Sequence, residues 1–400
     1  MRQLLVFAAC LGLVLLYLCA ERVRLDRALR RVPRRIAVTG TRGKSGVTRL
    51  IAAGLRASGA RVLAKTTGSK PVLIFPDGSE REILRTGPAS VREQIRLVEL
   101  AASAGAGFLV AEMMSVGAEC LAAESGRILR PETLAVTNVR LDHLDEMGRE
   151  KEAIAGTLAA AVSGPVDVFI PAEEMRPAFK EAGARAGSRI HAVARGTVEK
   201  SVSDLPLPVG EFEPNRRLAR AVLESLGLDS RTIEEGLASA RPDPGSLKIL
   251  RGTFGRPPRP AVCVSLFAAN EPESSAAALH AVERLEPFGG RPVVGLLSLR
   301  EDRGDRTLQW IRAAGEGFFQ AFSAVFLIGP PARAALRKVR RGSGPGNPVF
   351  SLVEGRSPED VMTFMLSSAP AEPVVVGLGN FVGPGAELVR YWEERGTHGR

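Results

Sequence analysis

The stretch Arg35–Leu50, RIAVTGTRGKSGVTRL, decides the fold. Ile36-Ala37-Val38 is a short apolar run that reads as a buried strand. Gly40, Thr41, Arg42 and Gly43 make a tight turn, and Lys44-Ser45-Gly46 open a helix. In that helix Val47, Leu50, Ile51 and Leu55 recur at helical spacing. Strand, glycine turn, Lys-Ser and helix predict a phosphate-binding loop. Glycines let backbone N–H groups surround phosphate oxygens, and the helix N-terminus adds partial positive charge. Lys44 is placed to reach the β/γ-phosphates of ATP, and the Ser45 hydroxyl to sit on Mg²⁺. The pattern departs from G-x-x-x-x-G-K-[ST]: Val38 stands where the first glycine belongs. The usable glycine is Gly40, so the turn is shorter, G-T-R-G-K-S.

Upstream of the loop, Gln3–Ala20 (QLLVFAACLGLVLLYLCA) carries no charge. As a helix it spans about 27 Å, enough for a bilayer core with snorkelling flanks. Glu21–Arg35 then holds seven arginines and two acids. Charge following the apolar run, no A-x-A site, and Leu18 before Cys19 favour a retained signal anchor over a cleaved signal. The positive-inside rule puts the N-terminus outside and residues 21–400 in the cytoplasm, a single-pass protein of the cell membrane. The net charge is +10, about half of it in the arginine segment, where anionic headgroups would attract it. The remaining excess is mild and does not indicate nucleic acid. The four cysteines show neither metal spacing nor a disulfide framework.

Downstream, apolar strands alternate with helical segments, so the class is α/β. Strands are expected at 61–64, 107–111, 133–139 and 166–170, with a hairpin from 72 to 84 and helices at 90–104 and 151–162. Arg241-Pro-Asp-Pro-Gly245 is a strong breaker. Beyond it a second doubly wound α/β pattern predicts strands 262–267, 292–298, 324–328, 348–353 and 373–378. Helices 273–286, 307–321, 332–340, 357–368 and 384–394 lie between and after them. The domain plan is anchor 1–20, basic juxtamembrane segment 21–34, ATP-binding domain 35–243 and a smaller Rossmann-like domain 244–400. Parallel strands with right-handed crossovers bring their carboxyl ends to one rim. Four chemically apt groups fall there: Gly40–Ser45, Glu112, Asn138 and Asp142-His143. Glu112, ending an apolar strand, suits Mg²⁺. His143, between Asp142 and Asp145, suits a second, more tolerant metal site or a hydrogen bond to phosphate. Arg300, Asp302, Arg303, Asp305 and Arg306 follow a strand of the second pattern. They read either as a solvated helix start or as guanidinium forks for an acidic acceptor.

Taken in order, VTGTRGKSGVTRL (38–50), KTTGSK (65–70), AEMMS (111–115), TNVRLDHLDEMG (137–148), PDPGSLKIL (242–250), LFAANEPESS (266–275), LREDRGDRT (299–307) and GLGNFVGPGAE (377–387) resemble the poly-γ-glutamate synthase family, a branch of the Mur ligase and folylpolyglutamate synthase superfamily. The resemblance runs from the anchor to about residue 390. It implies a P-loop, Mur-ligase-like ATPase domain followed by the Rossmann-like domain. The implied activity is ATP-dependent amide ligation through an acyl phosphate, with glutamate and the poly-γ-glutamate chain as substrates. Implied partners are a small multispanning subunit and a further membrane-anchored one. By motif match, Gly40, Thr41, Arg42, Gly43, Lys44, Ser45, Gly46 and Asn138 would hold ATP. Ser45 and Glu112 would hold one Mg²⁺, and His143 a second. Asn215 would meet the adenine, although Pro214 replaces the family's preceding His. Asn270 would face the nucleotide from the C-terminal domain, and Arg300, Arg303 and Arg306 would bind the acidic acceptor. Thr157-Leu158 stand near the family's carbamylated lysine, and Leu266 or Phe267 replaces an aspartate. No UDP-binding N-terminal domain precedes the loop, so a UDP-linked precursor is not the expected substrate.

Two other readings stay open on the residues alone. One is a folylpolyglutamate-type or other amide ligase, which would need a pteridine or another acceptor. The other is a nucleotide-gated membrane scaffold or transport ATPase, which would need only the phosphate loop.

Overall fold

A computed structural model describes residues 2–68, 71–85, 87, 89–194, 213–243, 246–285, 288–342, 346–353, 355 and 357–398. Residues 69–70 of KTTGSK and 244–245 of the breaker lie outside them. The described residues divide into two compact units that meet in sequence between Arg241 and Pro242.

The first unit contains α1 (Arg2–Arg31), β1 (Arg34–Thr39), α2 (Lys44–Ala57), β2 (Val62–Thr66), β3 (Val72–Ile74), β4 (Glu80–Glu82), α3 (Glu93–Ser103), β5 (Phe108–Glu112), α4 (Ala118–Ala123), β6 (Thr133–Val136), α5 (Leu144–Met147), α6 (Lys151–Ala159), β7 (Asp167–Pro171), α7 (Pro177–Ala186), β8 (Arg189–Val193), α8 (Glu213–Ser225) and α9 (Ser230–Ser239). Its eight strands lie in the order β4-β3-β2-β5-β1-β6-β7-β8, parallel from β2 to β8. The β3–β4 hairpin extends one edge antiparallel. Alternation along the strands explains the layers. Ala37, Leu109, Ala111 and Leu134 point to a face covered by residues of α1, α3, α6 and α7. Ile36, Val38, Val110 and Ala135 point to the other, covered by α2, α8 and α9. Side chains that alternate along a strand supply both faces of a sheet, and helices on both faces require near-continuous apolar strands.

The second unit contains β9 (Lys248–Phe254), β10 (Arg259–Ser265), α10 (Pro272–Leu285), β11 (Val293–Ser298), α11 (Gly304–Gly315), β12 (Ala324–Ile328), α12 (Ala332–Gly342), β13 (Val349–Leu352), α13 (Pro358–Ser368), β14 (Val374–Gly379), α14 (Pro384–Arg395) and β15 (Gly396–His398). The order is β13-β12-β11-β14-β10-β9-β15. Five strands are parallel, but β9 pairs antiparallel with β10, and β15 antiparallel with β9, at one edge. The sheet is therefore mixed rather than wholly doubly wound. Helix α11 starts at Gly304 and ends at Gly315, where Gly317 adopts φ 89°, so the expected 307–321 helix is shifted toward the N-terminus.

A further correction concerns the N-terminus. The apolar run and the arginine segment form one 30-residue helix. Leu25, Ala28 and Leu29, at helical spacing, are buried in the first unit's core. Arg24 pairs with Glu99, and Arg130 with Asp26. Residues 21–31 thus belong to the folded unit rather than forming a separate juxtamembrane strip. Among the described residues, α1 is the one helix long and apolar enough to cross a membrane.

Candidate active site

Strand β1 sits mid-sheet between β5 and β6, so the loop at its carboxyl end is flanked on both sides. Gly40 adopts φ 124°, and a Cβ there would lie 2.1 Å from Thr137 Oγ1. Gly43, the residue before α2, adopts φ 75°, and a Cβ there would lie 2.7 Å from Asn215 Oδ1. Both positions therefore exclude a side chain. The segment leaving β6 grips the loop. Asn138 Oδ1 accepts from Thr41 Oγ1 (2.7 Å) and the Arg42 N–H (3.0 Å), and its Nδ2 donates to the Arg42 carbonyl (3.0 Å). Thr137 Oγ1 donates to the same carbonyl, and the Arg140 N–H donates to Thr41 Oγ1. Asn138 spends its side chain on shaping the loop. No side chain caps α2 and its first turn carries no acid, which leaves the helix N-terminus to attract an anion.

Lys44 Nζ folds back over this loop and donates to the Gly40 carbonyl at 2.7 Å. Burial pulls its ammonium below the usual lysine range, against Glu112 and Asp142, which pull it up. Glu112, 3% exposed, ends β5. Its Oε2 accepts from Ser45 Oγ (2.7 Å) and from the Thr67 N–H (2.6 Å). Three residues far apart in sequence thus converge beside the phosphate loop.

Behind Glu112 lies a polar layer that sequence reasoning missed. Gln94, fully buried, donates from Nε2 to the Glu112 carbonyl (3.0 Å) and to Glu124 Oε1 (2.6 Å). Glu124, also fully buried, accepts from the Met114 and Ser115 N–H groups. Lys65, 1% exposed, lies 3.1 Å from Glu93, which Arg85 holds in a two-pronged pair. Burial pulls the Lys65 ammonium down, and the Glu93 carboxylate opposes that. Burial alone would raise the Glu93 carboxyl, but Arg85 and Lys65 outweigh it and hold it at about 2. The available signal was Gln94 and Glu124 among apolar neighbours on core-facing helical positions.

Asp142, 2% exposed, pairs with Arg42 at 3.2 Å and fastens the LDHLD segment to the loop. His143 follows in the left-handed conformation (φ 48°), its Nε2 3.6 Å from Asp142 Oδ2. Thr157 Oγ1 donates to the Met147 carbonyl and Leu158 lies in the core. Among the described residues no group of three His, Cys, Asp or Glu side chains is placed to hold a metal. The Ser45–Glu112 pair is an all-oxygen set of the kind Mg²⁺ takes when substrate phosphates and water complete its shell. Asn215, on the first turn of α8, stands against Gly43.

In the second unit, Asn270 follows the carboxyl end of β10 and its carbonyl accepts from Trp310 Nε1. Its Oδ1 is buried without a hydrogen-bond partner, as are Ser265 Oγ and Ser298 Oγ at the ends of β10 and β11. Arg300 makes a two-pronged pair with Asp302, and Arg303 lies 3.5 Å from Asp305. Arg306, 5% exposed, donates to Asn380 Oδ1, and Asn380 donates to the Ser298 carbonyl.

Residues 38–194 match the Mur ligase middle domain, and residues 253–395 match the poly-gamma-glutamate synthase CapB C-terminal domain. The capsule biosynthesis protein CapB of Bacillus anthracis is 28% identical over 97% of this chain and 82% of its own length. The PGA synthase CapB of Bacillus subtilis is 27% identical over 96% of each. A bifunctional folylpolyglutamate synthase/dihydrofolate synthase from Yersinia pestis, solved with AMPPNP and a Mn ion, superposes with a TM-score of 0.63. It covers 92% of each chain at 17% identity, a likeness of fold alone.

Proposed function

We propose that this chain, which matches the Mur ligase middle domain and the CapB C-terminal domain, is an ATP-dependent amide ligase that makes poly-γ-glutamate. The observation that carries the reading is the meeting of Lys44, Ser45 and Glu112 at one loop. Phosphoryl transfer to a carboxylate brings several negative charges together, and catalysis is mostly positioning and charge compensation. Loop N–H groups and the α2 N-terminus cradle the β- and γ-phosphates, and Lys44 offsets the charge that develops on them. When bound, Mg²⁺ at Ser45 and Glu112 would supply further charge neutralisation between the phosphates. A glutamate carboxylate attacks the γ-phosphorus, the bond to the ADP oxygen breaks, and an acyl phosphate forms. The amine of the next glutamate attacks the acyl carbon, phosphate leaves, and the amine proton passes to solvent or phosphate. His143, tied to the loop through Asp142 and Arg42, is assigned to the same phosphate cluster. Asn215 is assigned to the nucleotide on its position against Gly43. In the Rossmann-like second domain Asn270 follows the carboxyl end of β10 at the rim of the second sheet. The unpartnered polar atoms of Ser265, Asn270 and Ser298 support a ligand at that rim.

In the same reading α1 is a single-pass anchor of the cell membrane. Its support is the continuity of the apolar run with a helix whose later residues are core. The arginines after the run put the catalytic units in the cytoplasm, where ATP is. Further membrane subunits complete the synthase.

The test is polymer synthesis by membranes carrying the chain and its partner subunits, given ATP, Mg²⁺ and radiolabelled glutamate. Acid-stable polymer that disappears in Lys44→Ala is the expected result. Phosphate release without amide formation for any glutamyl acceptor would overturn the reading.

A further inference from the structure

Helix α1 fixes which end of the first sheet meets the lipid. Its C-terminal end lies at the amino end of β1: Arg35 Nη1 donates to the Leu29 and Val32 carbonyls. Twelve residues back, at about 18 Å by helical rise, the helix has reached the opposite end of the sheet. There Arg92 binds Glu21 and donates to the Tyr17 hydroxyl at 2.7 Å. Arg92 is the residue before α3, and the next two residues mark the carboxyl rim. Glu93 pairs with Lys65 at the end of β2, and Gln94 bonds the Glu112 carbonyl at the end of β5. The helix therefore leaves the folded unit at the level of the phosphate loop and Glu112.

Length decides how close the rim comes to the bilayer. From Gln3 to Leu16, above the Arg92 clamp, the helix offers only about 21 Å against a hydrocarbon core of about 30 Å. Hydrophobic mismatch of this sign thins the bilayer locally or draws flanking residues into the interface. A charged Arg92 resists the hydrocarbon, while Tyr17 suits the interfacial belt. Leu84, 85% exposed, follows the carboxyl end of β4 at this rim, and its neighbour Arg85 holds Glu93, the residue after Arg92.

We infer that the carboxyl rim of the first sheet faces the membrane, with Leu84 seated in the headgroup layer as a second contact beside the anchor. The partner is the lipid bilayer. An acidic polymer extended at this rim is extended next to the membrane, within reach of a membrane-embedded subunit. The inference rests on the anchor reading above.

The test uses the full chain in phosphatidylcholine/phosphatidylglycerol vesicles whose lipids carry bromine near the headgroup, a contact quencher of tryptophan. Trp310 and Trp392 are both buried and give a constant background. Leu84→Trp is compared with Arg185→Trp, an exposed position near the end of α7, on the approach to the amino end of β8. The expected result is loss of emission for Leu84→Trp and none beyond background for Arg185→Trp. Adding Arg92→Ala to Leu84→Trp should relieve the quenching while the chain still floats with vesicles. A floating chain with no quenching at position 84 overturns the orientation and leaves the anchor reading standing. A correctly folded chain that does not float overturns both.

Discussion

The carboxyl rims of the two sheets look alike in sequence and are built differently. At the first rim, several polar groups find their partners on distant segments. Ser45 meets Glu112, Arg42 meets Asp142, and Asn138 meets Thr41. At the second, Arg300 and Arg303 are held by aspartates two residues away, while Arg306 is buried against Asn380. A convergence of groups from separate strands is expensive in chain entropy and is kept where chemistry needs it. A local pair can form in almost any loop.

The strongest way to break this comparison is Lys44→Ala. It should lower ATP turnover about 10²–10³-fold, read as phosphate release, with the thermal unfolding midpoint retained. A loss under about tenfold would remove the phosphate loop from its central place. Asn138→Ala comes next. It strips the loop of three bonds and should raise the ATP dissociation constant about tenfold or more, read by titration with a fluorescent ATP analogue. Arg306→Ala should instead cost stability, about 1–3 kcal/mol in denaturant unfolding, because it vacates a buried hydrogen bond.

The Glu93 carboxyl sharpens the contrast through pH. Its folded value, about 2, lies below the ordinary carboxylate range, so its contribution is full above the unfolded value. That contribution is lost as pH falls from about 4.3 toward the folded value. The gap in melting temperature between wild type and Glu93→Gln should be largest near neutrality and close through that window. A gap independent of pH would detach Glu93 from Lys65 and Arg85. The smallest effect is expected at Arg300→Ala, whose local pair with Asp302 is worth under about 1 kcal/mol. Turnover and KM for a glutamyl acceptor should stay near wild type. A large rise in that KM would place Arg300 at the acceptor site and level the two rims.

Much of this was readable before the structure. Gly40–Ser45 announced a loop because glycine placement and a Lys-Ser helix start have few other uses. Glu112 and Asp142-His143 were legible as polar groups ending apolar strands. The supporting layer was not. Gln94 and Glu124 sit on helices with no motif of their own, and their role exists only because α3 and the π-helical turn 124–129 pack behind β5. The arginine segment was misjudged for a related reason. Charge density alone assigned 21–34 to the membrane surface, whereas Leu25, Ala28 and Leu29 commit that stretch to the core beside α3.

By itself the sequence determined the α/β class, the phosphate loop, the apolar N-terminal run and the polar groups at strand ends. Those are properties of short windows, set by backbone geometry, hydrophobic periodicity and side-chain chemistry. The tertiary structure alone decided which groups meet. It set Glu112 on Ser45, turned Asn138 into a brace for the loop, and buried Arg306 against Asn380. It also decided where α1 leaves the folded unit, because strand order and helix packing are long-range outcomes that no local window contains.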